Sequence, residues 1–283
     1  MRGRAPPPVR RRRSRSKRPA RNRALLTRRW RMGRLEGKVA LISGTGGGQG
    51  RAAALRFARE GAKVFGCDVD AAAQQETVAL ARAGGLEVAG GGSVDLGDAQ
   101  AARAWVEEAV AAYGRIDILY NNASAARFGA VGDMSVDDWR WTIRNELDLV
   151  FYSTHYAWRH LAERGGVIVN ISSVAAWGAS GTTGIGAHSA AKAGVVALTR
   201  QLAVEGARHR IRAVSISPGV VATPGTRPFL DNPATRAALL AGVPVERAAE
   251  PEEIVAVALF AASDEASYLT GADIVVDGGM LSL

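Results

Sequence analysis

From residue 38 onward, short apolar runs alternate with longer alanine-rich stretches whose apolar positions recur every three to four residues. The runs at 39–42, 62–67, 116–120, 167–171 and 211–216 are apolar at most successive positions rather than at alternate ones. Such a strand is buried on both faces, which is the mark of a parallel sheet covered by helices. Weaker runs at 86–89 and 273–276 bring the strands to about seven. Helices are predicted over 48–60, 71–83, 99–113, 136–162, 188–207 and 251–262. This order predicts an α/β fold in three layers, a doubly wound parallel sheet, with ligands at the carboxyl ends of the strands.

Residues 223–246 break the rhythm with four prolines, Pro224, Pro228, Pro233 and Pro244. A structureless connection of that length reads as a mobile lid over a site, in preference to a surface excursion. Apolar residues make up 47% of the chain, enough for a large core. No run reaches the roughly 18–20 apolar residues of a membrane-spanning helix, so a soluble protein without a membrane partner is expected. The single cysteine, Cys67, excludes an intrachain disulfide and fits a reducing, cytoplasmic setting. Its place in the run 62–67 reads as a small buried residue.

The net charge of +9 belongs to the leader. Residues 1–34 hold 15 Lys/Arg and no acid, so the remaining 21 bases face 27 acids, a net of −6. Residues 1–31 are expected to be disordered by self-repulsion. They read as the product of a start placed upstream of Met32, or else as a nucleic-acid-binding arm acting through counterion release. Paired arginines occur without a following apolar stretch, which argues against a secretory signal. Residues 32–283 are expected to form one domain.

The first strand runs into Ser43-Gly44-Thr45-Gly46-Gly47-Gly48-Gln49-Gly50, and a helix follows. Glycines let the backbone approach a pyrophosphate, and the helix N-terminus offers free N–H groups. This strand–glycine–helix order points to a Rossmann-type dinucleotide site. Asp68 follows the second strand, 18 residues after Gly50, where a carboxylate accepts hydrogen bonds from a ribose. That charge would repel a 2′-phosphate and favours NAD over NADP, although Arg51 directly follows the loop. The competing reading of Asp68 is a surface turn acid, since Asp70 is close by.

With these motifs in order, the chain resembles the short-chain dehydrogenase/reductase family over 32–279. The family's Thr-Gly-x-x-x-Gly-x-Gly matches Ser43-Gly44 through Gly48-Gln49-Gly50, with Ser for Thr. Its Asn-Asn-Ala-Gly matches Asn121-Asn122-Ala123-Ser124, with Ser for Gly. The resemblance implies that Asp95 contacts the adenine. It also implies that Pro218, Gly219 and Thr223 cradle the nicotinamide end, and that the protein is a homotetramer or dimer built through two long helices and the C-terminal strand. The ending Tyr268-Leu269-Thr270-Gly271 and Val276-Asp277-Gly278-Gly279 also resembles the family.

The family's catalytic Tyr and Lys, four residues apart on one helix, fall on His188 and Lys192. Its Ser matches Ser173, with Ser172 second. Its Asn falls on Glu146 when counted without a gap, with Asn145 one residue early. The resemblance thus implies that Ser173 holds the substrate oxygen and that Lys192 binds the ribose. Imidazole is a competent general acid/base, and residues i and i+4 share a helix face. A cationic Lys192 nearby would favour neutral imidazole and hence alcohol oxidation. Glu146 is expected as a second acid/base or to orient a water. Trp177, Arg127 and Phe128 are candidates to line a substrate pocket. The remaining histidines show no metal-ligand spacing. The expected function is an NAD(H)-dependent oxidoreductase that interconverts a secondary alcohol and a ketone. Its rival is a non-catalytic NAD-binding protein in which His188 merely caps or packs.

Overall fold

The computed structural model describes residues 33–181 and 183–283; the expectations for residues 1–31 lie outside them. The compact unit that carries the fold is Met32–Leu283. Its sheet contains β1 (Val39–Ser43), β2 (Lys63–Cys67), β3 (Val88–Ala89), β4 (Ile118–Asn121), β5 (Gly166–Ile171), β6 (Ile211–Pro218) and β7 (Asp273–Val276). The strand order is β3-β2-β1-β4-β5-β6-β7, and every pairing is parallel. The chain reverses direction of travel between β1 and β4, the switch point at which such sheets bind ligands.

The helices are α1 (Gly48–Arg59), α2 (Ala71–Ala83), α3 (Ala99–Tyr113), α4 (Val136–Ile143), α5 (Leu149–Arg164), α6 (Gly186–Ala207), α7 (Arg227–Asp231), α8 (Pro233–Leu240) and α9 (Pro251–Ala262). Alternate residues of each central strand feed two cores. Ala40, Ile42, Ile118 and Tyr120 pack with Phe57 of α1 and Leu259 of α9. Val39, Leu41 and Leu119 pack with Trp105 of α3, Leu161 of α5 and Val195 of α6. That two-sided burial is why these strands are apolar at most successive positions.

Asp70 caps α2 by accepting from Ala72 N and Ala73 N, and Asp98 does the same for α3. The start of α1, behind Gly47, has no side-chain cap. Its free N–H groups stay available at the ligand edge of the sheet.

Several expectations shift in detail. β4 is Ile118–Asn121 rather than 116–120, and the third strand shrinks to Val88–Ala89. The helix expected over 136–162 is divided by a π turn, Arg144–Asp148, between α4 and α5. One extra residue per turn there rotates the side chains that follow. The segment 223–246 is not structureless, because it holds α7 and α8. Two of its four prolines begin helices: Pro228 lies in the first turn of α7, and Pro233 follows the cap Asn232.

Candidate active site

The glycine loop after β1 is shaped by close approach. A Cβ on Gly50 would lie 1.9 Å from the Gly44 carbonyl oxygen, and one on Gly46 would lie 2.8 Å from the Asp68 carboxylate. Gly44 and Gly48 take left-handed φ values of +72° and +49°. Ser43 Oγ accepts from Asn122 N and Ala123 N at 3.0 Å each, joining the ends of β1 and β4. The Asn122 amide closes the same junction by donating to the Ser43 carbonyl.

A cleft of about 540 Å³ opens above this junction. Gly44, Gly48, Gln49, Asp68, Asp95, Asn122, Ala123 and Thr223, all expected from the sequence, line it. Asp68 accepts from Gly46 N at 2.8 Å, while Asp70 is occupied as the cap of α2. Arg51 turns to Glu76 and to the carbonyls of Gly46 and Ala73. Pro218 and Gly219 stand outside the cleft lining; Gly219 N donates to the Val276 carbonyl. Gly50 acts through packing against Gly44 rather than as a lining residue. Arg144 and Trp141, unmarked by the sequence reading, also line the cleft, and Arg144 pairs with Asp95 at 2.7 Å.

These features fit a dinucleotide. The loop leaves no room for side chains, the start of α1 lacks a cap, and Gln49 Oε1 is buried without a hydrogen-bond partner. An orphaned buried acceptor at a cleft wall is a place where a bound group belongs.

Of the catalytic cluster only Ser124 lines the cleft; its Oγ donates to Glu146 Oε1 at 2.6 Å, and Ser173, His188 and Lys192 lie outside the lining. Glu146 is 1% exposed. Its Oε2 lies 2.8 Å from His188 Nδ1, and its Oε1 lies 3.8 Å from Lys192 Nζ. Lys192 also donates to the Ile171 carbonyl at 3.2 Å. Burial works to raise the Glu146 pKa, but Lys192, His188 and the Ser124 hydroxyl overcome it and hold the carboxyl below its usual value. Burial lowers the Lys192 ammonium, partly offset by Glu146.

Of the two readings of the Asn position, the π turn brings Glu146 to His188 and Lys192. Asn145 donates back to the Trp141 carbonyl at 2.8 Å and lines the nucleotide cleft. The charged group in hydrogen-bond contact with His188 is the Glu146 carboxylate.

Ser172 is buried and donates to the Lys192 carbonyl, fixing β5 to α6. Ser173 is half-buried and accepts from Ala175 N. Among the described residues no hydrogen bond joins Ser173 to His188. Phe128 stands edge-on to the His188 ring at 5.9 Å. Arg127 instead stacks on Trp141 and pairs with Asp138, and Trp177 donates to Asp273. Cys67 is buried, and burial pushes its thiol pKa well up. The described residues contain no cluster suited to a metal, and no helix among them is long and apolar enough to cross a membrane.

The family model described as enoyl-(acyl carrier protein) reductase matches residues 44–281. The 3-oxoacyl-[acyl-carrier-protein] reductase FabG of Thermotoga maritima is 39% identical, over 88% of this chain and 99% of its own length. The meso-2,3-butanediol dehydrogenase of Serratia marcescens is 37% identical, over 87% of this chain and 95% of its own. A solved short-chain type dehydrogenase/reductase from Mycobacterium marinum superposes with a TM-score of 0.83 at 30% identity, covering 88% of this chain and 97% of that one.

Proposed function

The chain belongs to the short-chain dehydrogenase/reductase family of NAD(P)-using oxidoreductases, and on that premise we propose that it interconverts a secondary alcohol and a ketone with NAD(H). The observation that carries this reading is the chain of contacts from Ser124, which lines the nucleotide cleft, through Glu146 to the His188 imidazole.

Nδ1 of His188 faces Glu146, so Nε2 is the nitrogen left for substrate. In the oxidising direction Nε2 takes the hydroxyl proton. Ser173 orients the substrate oxygen. Lys192 holds the ribose and balances Glu146. A bound nicotinamide supplies the acceptor for the hydride released from the carbon. Asp68, with no guanidinium free beside it, supports NAD over NADP: Arg51 is already paired with Glu76. Exposed Phe128 and Val131 give the substrate side an apolar rim, which favours an apolar alcohol. The relatives named as a 3-oxoacyl-[acyl-carrier-protein] reductase and a meso-2,3-butanediol dehydrogenase, a ketone reduction and an alcohol oxidation by name, support this reading.

We also propose a homodimer or tetramer. A groove of about 550 Å³ between α3, α5 and α6 carries Phe151, Tyr156 and Trp158 of α5 and Leu198 and Leu202 of α6. The test of function is NADH formation from NAD+ with cyclohexanol, 2,3-butanediol and other secondary alcohols. Tight NADH binding with no turnover across the panel, in either direction, would instead favour a non-catalytic NAD-binding protein.

A further inference from the structure

Three positions at which this sequence departs from its family's motifs touch one another. Ser124 closes the Asn-Asn-Ala-Gly motif in place of Gly, Glu146 stands in the Asn position, and His188 stands in the Tyr position. They come from three elements: the loop after β4, the π turn and α6. Yet Ser124 donates to Glu146 Oε1 at 2.6 Å, and His188 Nδ1 lies 2.8 Å from Oε2 and 3.0 Å from Oε1. Separate loss of function at three distant positions would not be expected to leave a continuous hydrogen-bond chain through a carboxylate only 1% exposed.

Electrostatics explains why these residue types go together. A phenol at position 188 must become phenolate to take a proton, and Glu146 would set a second negative charge against it. Lys192, the cation that would favour phenolate, is already 3.8 Å from Glu146. Conversely, an imidazole at 188 becomes a cation when it takes a proton. With a neutral amide at 146, the buried Lys192 ammonium would then oppose it unrelieved. The combinations Glu with His, and Asn with Tyr, each give the proton acceptor a neighbour of the helpful sign. The mixed combinations do not.

Resting on the alcohol/ketone reading above, we infer that Glu146 and His188 are a matched pair, each unserviceable without the other, with Ser124 fixing the carboxylate. Glu146 is a positioning residue: it holds the ring by Nδ1 and supplies the negative charge that imidazolium needs. In oxidation the substrate O–H bond breaks and Nε2–H forms. The carbon loses hydrogen with its electron pair to NAD+, and the imidazolium passes its extra proton to solvent before the next turnover. His188 itself meets the Glu146 carboxylate from the π turn and the uncharged Phe128 ring; Lys192, one turn on in the same helix, and Ser124 reach the pair through Glu146.

The test compares the full chain with His188→Tyr, Glu146→Asn and the double variant, each first checked for NADH binding by fluorescence. With an alcohol that the unaltered protein oxidises, each single variant is expected to lose about 100-fold or more in kcat. The double variant is expected to recover to within about tenfold of the starting rate, a rescue that a merely structural Glu146 would not give. A substrate-free readout accompanies it: tyrosinate absorbance near 295 nm. The introduced phenol should ionise about one to three pH units lower with Glu146→Asn than without it. Equal ionisation in both backgrounds, or His188→Tyr as active alone as in the double variant, overturns the pairing. If the unaltered protein oxidises no alcohol, the functional reading fails while the ionisation still decides the pairing. Should His188→Tyr not bind NADH, imidazole ¹⁵N spectra of Glu146→Gln replace it. Loss of the Nδ1–H tautomer supports the pairing, and an unchanged tautomer overturns it.

Discussion

His188 faces two environments at once: a buried carboxylate at Nδ1 and an exposed aromatic edge from Phe128. Glu146 is what makes that placement stable. Replacing Glu146 with Gln leaves the buried Lys192 ammonium without its counter-charge, which typically costs about 3–5 kcal/mol. Urea unfolding at neutral pH should therefore show a clear loss for Glu146→Gln. The pH dependence has a definite sign. Because folding lowers the Glu146 pKa, its contribution is fully present above the unfolded carboxyl value of about 4.3 and fades as pH falls through the lower folded value. The acid limb of the stability curve should be shallower in the Gln variant. Asp68 carries the cofactor choice: Asp68→Asn should narrow the preference for NAD+ over NADP+ by about tenfold, or ~1.4 kcal/mol, measured as the ratio of kcat/KM values.

At the scale of elements, the glycine loop and the π turn matter most. A Cβ on Gly50 would collide with the Gly44 carbonyl, so Gly50→Ala should weaken NADH binding by about tenfold or more, and calorimetry reads it directly. The strands and α2, α3 and α9 were legible because two-sided burial writes itself as continuous apolar runs and capping acids mark helix starts. The π turn was not, since Arg144–Asp148 carries ordinary helical residues and the extra residue is absorbed by contacts across the fold. That is why counting along the chain left Asn145 and Glu146 as rivals. The helices within 223–246 were hidden because proline signals both a loop and a first helical turn. Of the cleft lining, Gly44, Gly48, Gln49 and Asp68 were legible from spacing, and Asp95, Asn122, Ala123 and Thr223 only through the family resemblance. The Ser124–Glu146–His188 contacts were not, because they join residues 22 and 42 positions apart.

Taken whole, Met32–Leu283 is one compact unit with net negative charge outside the basic leader. A protein beginning at Met32 should bind NADH as the full chain does. Salt-sensitive DNA binding by the full chain alone would assign residues 1–31 a separate role. Light scattering coupled to size exclusion should give a dimer or tetramer, and Phe151→Glu on the groove of α5 should shift it towards monomer. A monomer for the unaltered protein would remove the proposed assembly. The central claim, that His188 moves the proton in an NAD-dependent alcohol oxidation, is tested most directly by one assay. Absorbance at 340 nm follows NADH formation by the unaltered protein and by His188→Ala with the same alcohol. The account predicts turnover that falls about 10²–10⁴-fold in the variant while NADH affinity holds; equal turnover in the two proteins would contradict it.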